Sequence, residues 1–188
     1  MDRAWFLVLN GLSVSAPAVG TIAVIVSNYG PVCYAAILAW LWWRGSVAAD
    51  ARRRTLLLAV LAGTLSHLVN YGLNIAVPQP RPFLVLPAHV LVGSPPHDPS
   101  FPSDHAAFTS AIAVTLLLAR MAGWGAVGLL GAFAIGTSRV IVGVHYPSDI
   151  VGGVIVGTMC AALALALERP LDPVLRRLLG IARQWHLA

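Results

Sequence analysis

Four long apolar stretches constrain this chain more than any other feature: 55–77, 103–121, 124–144 and 147–167. At 1.5 Å per residue, about 20 helical residues cross the roughly 30 Å of bilayer hydrocarbon. Hydrocarbon offers no partner to a backbone N–H or C=O, so runs of this length span as α-helices. Of the 188 residues, 58% are hydrophobic and 10% charged, whereas a soluble domain carries about 25% charge. A water-soluble globule is excluded. The expected fold class is all-α, a polytopic membrane helical bundle forming a single domain over residues 1–188. Residues 4–26 are also apolar but carry Asn10, Pro17 and several serines, and Ser27-Asn28-Tyr29-Gly30-Pro31 reads as a turn before another apolar run at 32–43. About six membrane segments are expected, the first two short or oblique. Arg3, the apolar run after it and Ser13-Val14-Ser15-Ala16 weakly imitate a secretory signal; Pro17 directly after Ala16 disfavours cleavage.

All twelve cations are arginine, and their placement predicts sidedness. Cytoplasmic loops are enriched in Lys and Arg. Arg44, Arg52, Arg53 and Arg54 fall between segments two and three, Arg120 between four and five, and Arg169, Arg176, Arg177 and Arg183 after six. These nine share one side, which leaves Arg81 and Arg139 on the outward side. Arg3 fits an inside N-terminus if there are six segments, so both termini are expected in the cytoplasm. The net charge of +5 is spread between apolar stretches without a basic face, which argues against a nucleic-acid partner. Cys33 and Cys160 have no metal or disulfide spacing and read as small buried hydrophobes. Beyond Pro170 and Pro173, apolar residues at helical spacing with Arg176, Arg177 and Arg183 between them predict an interfacial helix on anionic lipid. Gly153 and Gly157 form a GxxxG pair, read as packing within the bundle ahead of a dimer contact.

Nearly every unusual polar residue falls at the outward helix ends. Eight of the thirteen prolines lie in the outward loop 78–102, which predicts a stiff, shaped connection. The clusters are Pro80-Arg81-Pro82-Phe83; Phe101-Pro102-Ser103-Asp104-His105; and Ser138-Arg139 followed by His145 and Asp149. Two arginines supply forked donors that match phosphate oxygens. Ser103 and Asp104 sit where a helix begins, and free N–H groups there favour an anion. Asp149, four residues beyond His145, can hold one imidazole nitrogen while the other attacks or moves a proton. His105 is a second imidazole, available as general acid. A phosphate-cleaving site is the economical reading. Blander alternatives stand beside it: Arg81 and Arg139 as snorkelling side chains, Ser103 as a helix cap, and His105, His145, Asp104, Asp149, His89 and His97 as metal ligands, although no HExxH-like spacing supports the last. His67 reads as an interior hydrogen-bonded histidine, and His186 lies in an expected frayed tail.

In order, these clusters resemble the type 2 phosphatidic acid phosphatase superfamily, whose signature is K-x6-R-P, P-S-x-H, then S-R-x5-H-x3-D. The resemblance covers about residues 55–168. It implies that His145 attacks phosphorus to form a phosphohistidine, that Asp149 orients it, and that His105 protonates the leaving group. It also implies that Arg81, Arg139 and Ser103 hold phosphoryl oxygens, with Asp104 and Asn74 beside the phosphate, and that no metal or other cofactor is needed. One departure is plain: the family lysine is Asn74 here, with Gln79 or His67 as candidates to compensate.

The short chain and its motif wording look most like bacterial undecaprenyl-diphosphate phosphatases. The expected partner is a lipid phosphate or diphosphate at the outer face of the bacterial inner membrane, with membrane lipid around it. A phosphatidylglycerophosphate or phosphatidate phosphatase, and a non-catalytic lipid-phosphate carrier, are the alternatives.

Overall fold

A computed structural model describes residues 2–44, 49–93, 98–119 and 121–185; Arg120, His97 and His186 lie outside them. The described residues form helices α1 (Asp2–Ser15), α2 (Pro17–Trp43), α3 (Ala49–Ala76), α4 (Pro82–Val85), α5 (Asp104–Leu118), α6 (Ala122–Ile141), α7 (Pro147–Ala166) and α8 (Asp172–Gln184), with no strand among them. Helices α2, α3, α6 and α7 are long and apolar enough to cross a membrane, and α5 is a shorter apolar helix in their midst. This is an integral membrane protein built as an all-α bundle.

Helix α5 packs on α3, α6 and α7, and its residues are buried on every side. A helix buried all round must resolve its own polar groups, and α5 does: Thr109, Ser110 and Thr115 donate to the carbonyls of His105, Ala106 and Ala111 at 2.6, 2.6 and 2.8 Å. Its small residues let α7 approach. A Cβ on Gly153 would lie 2.6 Å from the Ser103 carbonyl, and Gly157 faces Ser110 and the Ala107 carbonyl. The GxxxG pair thus packs within the bundle, as its spacing predicts.

The N-terminal third differs from expectation. The predicted turn at 27–31 is absent, and α2 runs through Pro31. The break falls instead at Ala16, where Pro17 begins a helix and restricts the residue before it. Gly30 serves a helix contact: a Cβ there would strike the Ile135 side chain at 2.5 Å. Proline is tolerated inside a membrane helix, where leaving the helix would strip more backbone groups of their partners. Helix α1 has 14 residues, about 21 Å, too short to cross. It lies against one end of the bundle, where the Phe6 ring meets Tyr146 at 5.6 Å. The Ser148 N–H and hydroxyl donate to Asp2 at 3.1 and 2.6 Å.

The opposite end gathers the arginines. Arg52 and Arg53 donate to the Leu41 and Trp42 carbonyls at 2.7 and 3.1 Å, closing the end of α2 onto the start of α3. Arg54 pairs with Glu168 at 2.9 Å and with Asp172, and Arg183 pairs with Asp50 at 3.0 Å, so α8 is clamped to α3. Helices α1 and α8 therefore lie at opposite ends of the bundle, whereas termini that share the cytoplasmic side would put them at the same end. The cause is α1, which does not cross.

Candidate active site

The site forms where the starts of α4, α5 and α7 meet the last turn of α6. Tyr146 caps α7 and Pro147 opens it, which puts Asp149 in the first turn. There Asp149 Oδ2 accepts the Tyr146 N–H at 2.7 Å and the Ser100 hydroxyl, and Oδ1 accepts from Gln79 Nε2 at 3.2 Å. These bonds hold a fully buried carboxylate in place.

His145 precedes the cap and is buried. Its Nε2 lies 3.1 Å from Arg81 Nη1, and its Nδ1 lies 2.9 Å from the Ser100 carbonyl and 3.4 Å from Asp149 Oδ2. A guanidinium only donates and a carbonyl only accepts. Nδ1 must therefore carry the proton, and Nε2 presents a lone pair. Burial draws the imidazole below its ordinary value; the Asp149 hydrogen bond opposes this shift, and the charges of Arg81 and Arg139 add to it. His145 is thus the neutral imidazole at pH 7.

Beside His145 lies a cavity of about 170 Å³ lined by Arg81, Asp98, Pro102, Asp104, His105, Arg139 and His145. Arg139 Nη1 donates to Ser27 of α2 at 2.7 Å, while its buried Nε and the buried Ser103 Oγ have no hydrogen-bond partner among the described residues. Ser103 sits at the N-cap of α5 but makes no side-chain cap bond, so the helix-cap reading of its hydroxyl fails. Buried donors left unpaired are costly, and an anion's oxygens would satisfy both.

The structure brings Arg81, Asp104, His105, Arg139 and His145 to one cavity, with Ser103 and Asp149 against it. Asp104 Oδ1 accepts from Asn70 Nδ2 at 2.9 Å and lies 3.6 Å from His67 Nδ1. Asn74 stands apart. It lines a neighbouring hollow of about 360 Å³ that shares Asp98 and Asp104, and its Nδ2 donates to the Phe101 carbonyl at 2.6 Å. Gln79, a candidate to replace the missing lysine, is committed to Asp149. His89 lies in a different contact, where its N–H and carbonyl bond the Asn10 side chain at 2.8 Å each. Sequence reasoning missed Ser27, Asp98 and Ser100. Asp98, directly before Pro99, and Ser100, two residues before Pro102, carried only the signal of lying in the proline-rich loop.

Comparison with known proteins agrees with the motifs. Residues 55–171 match the PAP2 superfamily. The chain is 34% identical over 178 residues to undecaprenyl-diphosphatase BcrC of Bacillus subtilis, covering 92% of this chain and 87% of that protein. It is 36% identical over 140 residues to decaprenylphosphoryl-5-phosphoribose phosphatase of Mycobacterium tuberculosis, covering 73% and 74%. The crystal structure of Aquifex aeolicus LpxE superposes with a TM-score of 0.68 at 26% identity, covering 88% of this chain and 94% of that one. With its motifs at one end of a membrane bundle and its length shared with these relatives, the chain belongs to the PAP2 superfamily and is a membrane phosphatase.

Proposed function

We propose that this protein hydrolyses a polyprenyl diphosphate, undecaprenyl diphosphate foremost, to the monophosphate and inorganic phosphate at the outer face of the membrane. The observation that carries the reading is the His145 imidazole, whose Nε2 accepts from Arg81 Nη1, set at a cavity that also holds Arg81, Arg139 and His105.

In the first step Nε2 attacks the terminal phosphorus, the bond to the bridging oxygen breaks, and His105 delivers a proton to the departing lipid monophosphate. Arg81, Arg139 and the Ser103 hydroxyl hold the phosphoryl oxygens as charge spreads over them. Asp149 and the Ser100 carbonyl stabilise the imidazole as it gains positive character. In the second step water attacks the phosphohistidine, His105 takes its proton, and phosphate leaves with His145 restored.

A diphosphate suits this site because its leaving group, a lipid monophosphate, ionises near about 6 and departs easily. An apolar groove of about 290 Å³ between α2, α5 and α6 reaches Ile135, one turn below Arg139, and provides an apolar path for a lipid tail. The outer face follows from the arginine end, which the positive-inside rule assigns to the cytoplasm, opposite the site.

The test is phosphate release by purified protein from polyprenyl diphosphate, phosphatidylglycerophosphate, phosphatidate and a lipid-linked phosphopentose, with chelator present, beside His145→Ala. Fastest turnover on the diphosphate, unaffected by chelator and lost in the variant, is expected. No turnover on any substrate sinks the enzymatic mechanism and favours a carrier.

A further inference from the structure

Arginine has five N–H donors, and in Arg81 all five are engaged. Nε donates to the Asp98 carbonyl at 2.9 Å; Nη2 donates to Asp98 Oδ2 at 3.1 Å and the Pro99 carbonyl at 3.4 Å; Nη1 donates to the Val144 carbonyl at 3.0 Å and His145 Nε2 at 3.1 Å. Arg81 is also only 4% exposed. A phosphate can therefore reach it only by displacing one of these partners. Three of them are backbone carbonyls. The others are the His145 imidazole, which is the group that must react, and the Asp98 carboxylate. Asp98 is the partner free to leave: its side chain is 51% exposed, and it lines both the cavity and the neighbouring hollow.

We infer that Asp98 is a specificity-determining residue of this site, its carboxylate holding the Arg81 fork until the terminal phosphate of the substrate displaces it. The inference rests on the phosphatase reading above and deepens it. Exchanging one carboxylate for a phosphodiester is an exchange of single charge for single charge, and it leaves Asp98 beside a second anion. A phosphomonoester or diphosphate end brings close to two charges and more acceptor oxygens to the same fork, so it gains where the diester does not. Ordinary phospholipid headgroups are diesters and vastly outnumber any minor lipid phosphate in a membrane. A carboxylate guard on Arg81 keeps them from occupying the site. Arg139 Nε and Ser103 Oγ, which have no partner to give up among the described residues, meet the incoming phosphate first. As Arg81 turns toward it, Nη1 uncovers the Nε2 lone pair.

The experiment compares full-length wild type, Asp98→Asn and Asp98→Glu in detergent. Binding of inorganic phosphate and of glycerophosphoglycerol, a soluble diester headgroup, is measured by calorimetry, and kcat and KM on the lipid diphosphate are measured alongside. Asp98→Asn should tighten phosphate about two- to fivefold, the scale of one partly exposed ion pair, and lower KM. It should also turn the diester into a measurable competitor, while Asp98→Glu restores wild-type discrimination. Unchanged affinities for both ligands in Asp98→Asn overturn the inference. So does weaker phosphate binding with a fall in kcat, which would mark Asp98 as a support for the loop alone. If wild type released phosphate from no lipid, the hydrolytic mechanism would fail, yet the two binding measurements would still decide the role of Asp98.

Discussion

For His145 to act as the proposed nucleophile its imidazole must be neutral at working pH, and its surroundings favour that form. Burial and two nearby arginines disfavour the imidazolium, so protonation is delayed below the ordinary value of 6.5. The acid limb of kcat/KM should accordingly lie below pH 6.5. Stability runs the other way: the unfolded imidazole protonates first as pH falls, so this group makes the fold less stable below about 6.5 while activity persists. Asp149 opposes the shift, so Asp149→Asn should move the acid limb to still lower pH. The same change should cut kcat by about 10²–10⁴-fold, because it removes the carboxylate that stabilises imidazolium as it forms. A pH–rate profile of both proteins checks the sign, and a limb above pH 6.5 in the wild type would contradict it. Much of this site was legible in the sequence because Arg81, Ser103, His105, Arg139, His145 and Asp149 announce their chemistry by residue type and spacing. The Ser100 carbonyl was not, since a backbone oxygen is the same in every residue. Ser27 was hidden for another reason, because it reaches Arg139 across a packing of α2 on α6 that no local pattern encodes.

At the scale of helices, close approach of α7 to α5 is what brings His145 and His105 to one cavity. Gly157 faces the Ala107 carbonyl and the Ser110 hydroxyl, with no room for a side chain. Gly157→Val should cost roughly 1–3 kcal/mol or more by overpacking, read as a lower unfolding temperature in detergent together with reduced activity. A variant as stable as wild type would show that the two helices separate freely. The lipid groove gives a second prediction. Cys33 is exposed and lines it, so Cys33→Trp should fill the space and lower kcat/KM on a long-chain diphosphate several-fold. A five-carbon diphosphate, too short to reach the groove, should be spared, and equal losses on both would mean that the groove holds no tail. The GxxxG pair was readable because glycine four residues apart has one main use in a membrane helix. Asn28-Tyr29-Gly30-Pro31 was misread because the same residues that signal a turn in water continue a helix in hydrocarbon, where a broken backbone finds no water to bond.

Across the whole molecule, polarity is divided between two ends. Arg52, Arg53, Arg54 and Arg183 tie α2, α3 and α8 together at one end, while Arg81 and Arg139 are drawn into the site at the other. Membrane character follows directly from apolar run lengths, and the gathering of these arginines at one end follows from their spacing. The position of the first helix does not, because residues 4–26 read as one apolar run in the sequence and only the break at Ala16 leaves α1 14 residues long. Here the partners decide. Asn10 Nδ2 donates to the His89 and Ile141 carbonyls at 2.8 and 2.9 Å, and Asp2 accepts from Ser148 at the start of α7, so α1 stays at the site end along its length. An epitope added before residue 2 should therefore be cleaved by protease applied to intact spheroplasts, whereas one added after residue 188 should be cut only after lysis. A single cysteine at Ser148, in a Cys33→Ser and Cys160→Ser background, should react with a membrane-impermeant maleimide from the same side as the first epitope. Protection of the N-terminal epitope with labelling of residue 148 from outside would mean that α1 crosses. Protection of both would place the site in the cytoplasm and remove the outer-leaflet substrate from the proposal.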